Sequence, residues 1–393
     1  MLPAGVALGS AGSKFRIALF HPCLVPGGIP RVFVNLARGF LEQGFAVDLV
    51  QATRGSGFCH AVPEGVRLID LNARRALTSL PLLIRYLRRE RPRVVIAGAI
   101  QTNLVAVWAR RMAGVPLQLI LTEHNIISVI SHNAPLARTR MTPLLVRRFY
   151  PGADQLVAVS QGVALDLKCT LGNGAEKIRV VYNPILGPEF WQSASEPLPD
   201  STIESDPRPI VLAVGRLHYH KDYPTLLRAF ALVRRSVDAR LLFLGDGPER
   251  GALEARTREF EIERAVQFLS EVRNPLPYLK RAKVLALSSI VEALPTVLIE
   301  ALALNLPVVA TDCPSGPREI LNHGAYGTLV PVGNSERLAE ALVDVLRNPH
   351  KKEIPAEALE RFQRGSVIKQ YLAIMGVGEE SASYRGIAGD SIP

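Results

Sequence analysis

Two glutamates, Glu292 and Glu300, bracket the segment Glu292-Ala293-Leu294-Pro295-Thr296-Val297-Leu298-Ile299-Glu300. Upstream stand two cations, in Ala213-Val214-Gly215-Arg216-Leu217 and Lys221-Asp222-Tyr223-Pro224. An ionised carboxylate offers two acceptor oxygens and no donor. A guanidinium meets phosphate through two parallel N–H bonds, whereas an ammonium is a compact point charge. Brought to one place, these four side chains would suit a ligand carrying both phosphate and hydroxyl groups. Taken singly, each has a plainer account. Acids stabilise helix N-termini, and a loop Arg or Lys is ordinarily just solvated.

The elements around them decide between these accounts. A strand-like run, Lys283–Ser289, precedes Glu292, and another, Leu306–Thr311, follows Glu300. Proline is tolerated in a first helical turn, where its missing N–H had no partner. The spacing therefore predicts a helix from about Pro295, with Glu292 in the loop before it and Glu300 inside it. In an open parallel sheet that loop lies at the carboxyl end of a strand, where ligands bind. The same alternation of strand and helix runs through the whole chain. Strands are expected at Phe15–Phe20, Ala46–Gln51, Val94–Ala97, Leu117–Thr122, Gln155–Val159 and Ile178–Tyr182. A second series is expected at Pro209–Gly215, Arg240–Gly245, Val266–Leu269, Val284–Leu287, Val308–Thr311 and Gly327–Val330. Short apolar strands alternating with helices imply α/β architecture with parallel sheets. Residues 191–209, rich in Ser, Pro and acids without periodicity, read as a linker. The expected organisation is a disordered leader (1–13), a first domain (14–190), a linker (191–208), a second domain (209–360), a helix (361–376) and a flexible tail (377–393).

A chain of 393 residues exceeds one ordinary core. With 48% apolar and 21% charged residues it is neither disordered nor membrane-spanning in composition. Met1–Ser13 has no basic side chain before its apolar residues, which argues against a secretory signal. Cys23, Cys59, Cys169 and Cys313 lack metal-ligand spacing and are expected to stay reduced. No Asp-x-Asp or His-Glu-x-x-His pattern calls for a metal. Residues 1–190 carry 22 Lys and Arg against 10 Asp and Glu, and the remainder 24 against 26. A basic amino-terminal half suits an anionic partner such as membrane headgroups or a lipid-linked phosphate. Arg85, Arg88, Arg89, Arg91 and Arg93 fall at a helix end, where cations are favoured whatever the function. No aromatic platform alternates with the basic residues, which weighs against nucleic acid.

Downstream lies Thr311-Asp312-Cys313-Pro314-Ser315-Gly316-Pro317-Arg318-Glu319-Ile320-Leu321. Together with the Arg216, Lys221 and glutamate segments, its order and spacing resemble the retaining glycosyltransferases of family 4. The resemblance runs from about Arg16 to Tyr371 and is most specific between Ile210 and Leu321. It implies a GT-B fold: two Rossmann-like domains facing a cleft, with the carboxyl-terminal helix crossing back to the first. It further implies that Arg216 and Lys221 grip a donor diphosphate, that Glu292 faces the donor sugar, and that Glu300 accepts from ribose hydroxyls. The turn Ala293-Leu294-Pro295-Thr296 would line the same ligand, with backbone N–H groups around Ala293 and Leu294 as donors. Val272 and Arg273, in Ser270-Glu271-Val272-Arg273-Asn274, would lie beside the base. Gly27 and Gly28 match the family's glycine loop, and His124 a histidine near the transferred sugar. Ser160 and Asn183 also match family positions, but capping and turn roles account for both. Ala293 and Asn305 stand where the family usually has glycine, and the former would narrow the sugar pocket by a methyl.

The resemblance implies transfer of a hexose or N-acetylhexosamine from a nucleotide diphosphate donor, UDP-linked by preference, to a glycan or lipid-linked acceptor in surface-polysaccharide or glycoconjugate synthesis. No metal or other cofactor is expected, and the place is the cytoplasm, including the cytoplasmic membrane face. A nucleotide-sugar epimerase of the same fold and a non-catalytic nucleotide-sugar-binding scaffold are the alternatives.

Overall fold

The computed structural model describes residues 15–24, 27–54, 61–132, 140–270, 272–348 and 352–377. The expected leader, all but the first residue of the expected tail, Cys59 and Glu271 lie outside the described residues. The chain packs into two compact units, 1–121 and 122–393, and the boundary falls within a strand, Gln118–Glu123.

The first sheet comprises β1 (Arg16–His21), β2 (Ala46–Gln51), β3 (Arg67–Asp70), β4 (Val94–Gly98), β5 (Gln118–Glu123), β6 (Gln155–Ala158) and β7 (Ile178–Val180), in the order β3-β2-β1-β4-β5-β6-β7. Its helices are α1 (Gly28–Glu42), α2 (Leu80–Glu90), α3 (Ile100–Ala113), α4 (Ile127–His132), α5 (Thr142–Phe149) and α6 (Gln161–Leu171). β1, β2 and β4 are almost wholly buried, as strands covered on both faces must be. A carboxylate sits inside this core on β2. Asp48 of β2 is fully buried, and Arg16, Arg67 and the Tyr86 hydroxyl donate to it at 2.6–2.9 Å. A buried carboxylate survives only when its acceptor sites are filled in this way.

The second sheet comprises β8 (Ile210–Val214), β9 (Arg240–Leu244), β10 (Val266–Leu269), β11 (Val284–Leu287), β12 (Val308–Thr311) and β13 (Thr328–Val330). Its order is β10-β9-β8-β11-β12-β13, with parallel pairing throughout. The remaining helices are α7 (Pro188–Ala194), α8 (Ser201–Glu204), α9 (Tyr223–Arg234), α10 (Arg250–Glu259), α11 (Leu276–Arg281), α12 (Thr296–Ala303), α13 (Pro317–Ile320), α14 (Ser335–Arg347), α15 (Ala356–Glu360) and α16 (Arg364–Ile374). Leu226, Phe230 and Val233 of α9 share one core with Leu338 and Leu342 of α14. Their three- and four-residue spacing puts them on one helix face.

Both sheets follow the doubly wound pattern, and the fold is the two-Rossmann GT-B architecture. The stretch 191–209 contains the end of α7 and all of α8, and Asn274 holds it by donating to the Ser193 carbonyl at 2.8 Å and to Glu196 at 2.9 Å. The chain's last helix returns to the segment before α7. The amides of Ile185 and Leu186 both donate to Phe362 C=O at 3.0 Å, and Arg364 pairs with Glu189 at 2.6 Å.

Candidate functional site

β8 and β11 lie side by side, with Val211 opposite Val284 and Leu212 opposite Leu285. The strand order reverses between them: β9 and β10 continue on one side, β12 and β13 on the other. Loops leaving the carboxyl ends of two such strands part to open a crevice. The loop after β8 carries Arg216 and Lys221, and the loop after β11 carries Glu292. Three hydrogen bonds stitch the loops. Ile290 N–H donates to His220 C=O at 2.9 Å, and the Ser288 hydroxyl to Lys221 C=O at 2.7 Å. The Thr311 hydroxyl, at the end of β12, donates to Ser289 C=O at 2.6 Å.

Within this frame Lys221 Nζ lies 2.5 Å from Glu292 Oε1, and the Ser289 hydroxyl donates to the same oxygen at 2.7 Å. The two side chains are 20% and 13% exposed, so the pair is screened less than a surface ion pair yet open to a ligand. Arg216 is exposed, with no hydrogen-bond or ion-pair partner among the described residues. A guanidinium with no such partner, in the same loop as a half-open ion pair, can accept an anion without first breaking a bond of its own.

Pro295 is the N-cap of α12 rather than its first residue, and Thr296 begins the helix. Proline's missing N–H is equally harmless there, since a cap's N–H has no intrahelical partner. Leu294 and Pro295 are buried beneath the loop, and the Ala293 carbonyl accepts from Ser315 Oγ at 3.0 Å. Glu300 lies in the second turn of α12 and is only 2% exposed, unlike Glu292. Val272 is half-buried and Arg273 exposed in the loop between β10 and α11. Gly27 and Gly28 belong to the first unit at the start of α1, where a Cβ on Gly28 would meet nothing within 4 Å.

His124 follows β5. Its Nε2 is 3.0 Å from Thr122 Oγ1, and loss of solvent pushes its pKa down to about 4. The neighbouring Glu123 is 1% exposed, and burial pushes its pKa up to about 7 against four donors. Those donors are the amides of His124 and Asn125, the Asn125 side chain and the Tyr150 hydroxyl, at 2.9–3.3 Å. Ser160 caps α6 as expected, accepting from Val163 N–H at 3.2 Å. Sequence reasoning gave no role to Ser288, Ser289 or Thr311, whose small hydroxyls hold the loops together. Their only signal is a Ser-Ser pair at the end of an apolar strand.

Of the five arginines near the end of α2, Arg88, Arg89 and Arg93 have partners, Arg89 donating to Glu90 at 2.7 Å. Arg88 donates to the carbonyls of Met112 and Ala113 at 2.9 and 3.2 Å, closing the end of α3, and Arg93 stacks 4.8 Å from the Phe15 ring. Arg85 and Arg91 remain exposed, as do the apolar side chains of Leu77, Leu82 and Met112. Among the described residues, no group of three His, Cys, Asp or Glu could hold a metal ion, and no helix is long and apolar enough to cross a membrane.

Two family models match the chain: "Glycosyltransferase Family 4" over residues 26–185 and "Glycosyl transferases group 1" over 195–366. The chain is 31% identical over 261 residues to a Campylobacter jejuni N-acetylgalactosamine-N,N'-diacetylbacillosaminyl-diphospho-undecaprenol 4-alpha-N-acetylgalactosaminyltransferase, a match covering 65% of this chain and 69% of that protein. It is 27% identical over 301 residues to the amylovoran biosynthesis glycosyltransferase AmsD of Erwinia amylovora, covering 76% and 81%. Among solved structures, Anabaena Alr3699/HepE in complex with UDP and glucose superimposes with a TM-score of 0.75 at 19% identity, over 92% of this chain and all of that one.

Proposed function

From a chain that belongs to glycosyltransferase family 4, the group 1 glycosyltransferases, and is thus a hexosyltransferase, we infer a specific reaction. The enzyme moves a hexose or N-acetylhexosamine from a UDP-linked donor to a glycan or lipid-linked acceptor in surface-polysaccharide or glycoconjugate synthesis. The carrying observation is the Lys221–Glu292 pair, with Arg216 in the same loop as Lys221 and without a partner among the described residues, on loops leaving adjacent parallel strands where the strand order reverses. Two relatives act in this chemistry by name: one transfers N-acetylgalactosamine to a diphospho-undecaprenol acceptor, and one serves amylovoran synthesis.

In this reading Arg216 and Lys221 stabilise the charge that develops on the leaving diphosphate, a role that needs no metal. Glu292 orients the donor sugar rather than attacking it. The acceptor hydroxyl enters on the face the diphosphate leaves, a phosphate oxygen takes its proton, and configuration is retained. His124, neutral at pH 7 because its pKa is about 4, acts as a hydrogen-bonding imidazole toward the sugar. Glu300 holds the ribose, and Val272 and Arg273 line the donor. Exposed Leu77, Leu82 and Met112 among arginines suit peripheral contact with an anionic membrane face, where a lipid-linked acceptor resides.

The test is a panel of nucleotide sugars incubated with the protein, with and without a membrane-lipid extract. Transfer that requires both a UDP-sugar and the extract supports the reading. Conversion of the donor alone would make the protein an epimerase, and binding without turnover a scaffold.

A further inference from the structure

We propose that Ser315 and Glu319 are positioning residues that fix the Glu292–Pro295 loop by clamping it to the amino end of α6; the proposal rests on the assignment of Glu292 to the donor sugar. Ser315 and Gly316 adopt left-handed backbone angles, φ 68° and 80°, making a sharp corner before α13. That corner touches the donor loop twice. Ser315 Oγ is 3.0 Å from the Ala293 carbonyl oxygen, and a Cβ on Gly316 would come within 2.5 Å of Pro295 Cδ. It touches α6 as closely, for Ser315 Oγ lies 2.9 Å from Ser160 Oγ.

Proton counting fixes the direction of this chain. Ser315 has one hydroxyl proton, and the Ala293 carbonyl can only accept. Ser315 therefore donates to Ala293, and Ser160 must donate to Ser315. Ser160 in turn accepts from Val163 N–H, an N-terminal amide of α6. Three bonds thus run one way, from a helix terminus to the carbonyl next to Glu292. A Cβ on Gly162 would lie 2.3 Å from Ser315 Cβ, so only glycine lets the two approach. Glu319 closes the clamp. Both its oxygens lie 3.0 Å from Gln161 N–H, the first amide of α6, and Tyr182 donates to it at 2.5 Å. A carboxylate at a helix N-terminus is favoured by the dipole. Arg361 secures the same residue through the Glu319 carbonyl at 2.8 Å while stacking 5.0 Å from the Tyr182 ring.

The experiment compares Ser315→Ala with Gly162→Ala, which disturb the clamp from opposite sides. Amide exchange in residues 290–296 should quicken about tenfold in both, as expected when one hydrogen bond's net contribution is lost. Donor KM should rise about tenfold with kcat nearly unchanged, and UDP itself should bind as to wild type. In a double variant with Glu292→Gln, the Ser315→Ala effect should largely vanish, because it acts through that side chain. Exchange that stays at the wild-type rate would overturn the clamp, whatever the enzyme's activity. Faster exchange with an unchanged KM, or effects that multiply with Glu292→Gln, would overturn the positioning role. If wild type turns over no nucleotide sugar, the functional reading fails together with the role.

Discussion

Two clusters of ionisable groups sit at strand ends in the second unit, and they treat charge in opposite ways. At the end of β5, Glu123 is covered and takes hydrogen bonds from four donors of the chain itself, and His124 is pushed to the neutral form. Between β8 and β11, Lys221 and Glu292 pair with partial exposure, and Arg216 has no partner among the described residues. In the first cluster both oxygens of Glu123 are engaged by the chain's own donors. The second has hydrogen-bonding capacity to spare. A closed ionic cluster mainly serves folding, whereas one held half open between parallel strands is equipped for a ligand.

Removing charge from each cluster should therefore have different consequences. Arg216→Ala and Lys221→Ala should each cut transfer by at least ~100-fold, the scale of one lost charge-stabilising contact. Chemical denaturation should show little change for Arg216→Ala, because its side chain is exposed and makes no bond among the described residues. Near-normal turnover in both variants would break the comparison. Glu123→Ala should do the reverse, costing about 2–3 kcal/mol of unfolding free energy by orphaning buried donors. Transfer measured well below the melting temperature should fall far less than in the Arg216 and Lys221 variants.

The comparison has a pH signature. Glu123 is raised to about 7 when folded, so between its ordinary value and pH 7 the folded protein holds more protons than the unfolded chain. Its contribution is full at low pH and lost as pH rises through 7. His124, lowered to about 4, has the opposite sign: its contribution is full above pH 6.5 and lost as pH falls toward 4. In the overlap the two slopes oppose each other. Glu123→Gln should therefore make stability climb more steeply with pH between about 4.5 and 7, by about 1.4 kcal/mol per pH unit. A parallel shift of the whole curve would mean that Glu123 is ionised throughout.

How much of this was legible in sequence follows from how local each signal is. The runs at Ala46–Gln51, Val266–Leu269, Val284–Leu287 and Val308–Thr311 coincide with β2, β10, β11 and β12, because buried parallel strands are continuous apolar segments. β3 escaped because Arg67-Leu68-Ile69-Asp70 has only two apolar residues at a sheet edge. The two short helices near 191–209 escaped because fewer than three turns give no usable periodicity. At the site, the residue types of Arg216, Lys221 and Glu292 suggested a ligand with phosphate and hydroxyl groups, and the structure places them on loops after β8 and β11. The bond of Ser315 to Ser160 spans 155 positions and uses two ordinary serines, so no local pattern announces it. The burial of Glu300 was equally hidden. A glutamate one turn into a helix reads as solvated until its neighbours Val297, Leu298 and Ile299 are seen to be buried with it.

The smallest effect concerns His124, which belongs by position to the closed cluster and by proposed role to the open one. Thr122→Val keeps the shape of the side chain and deletes the hydroxyl 3.0 Å from the imidazole Nε2. Stability should fall by about 1 kcal/mol, the net worth of a typical buried hydrogen bond. Transfer should fall about threefold, because a ring that has lost one of its holds presents its nitrogen to the sugar less often. The pH–rate profile should keep its shape between 6 and 8, since an imidazole with a pKa near 4 does not titrate there. If stability drops while kcat stays fixed, His124 serves the fold alone. A new limb near pH 6.5 would mean that the threonine had been helping to keep the ring neutral.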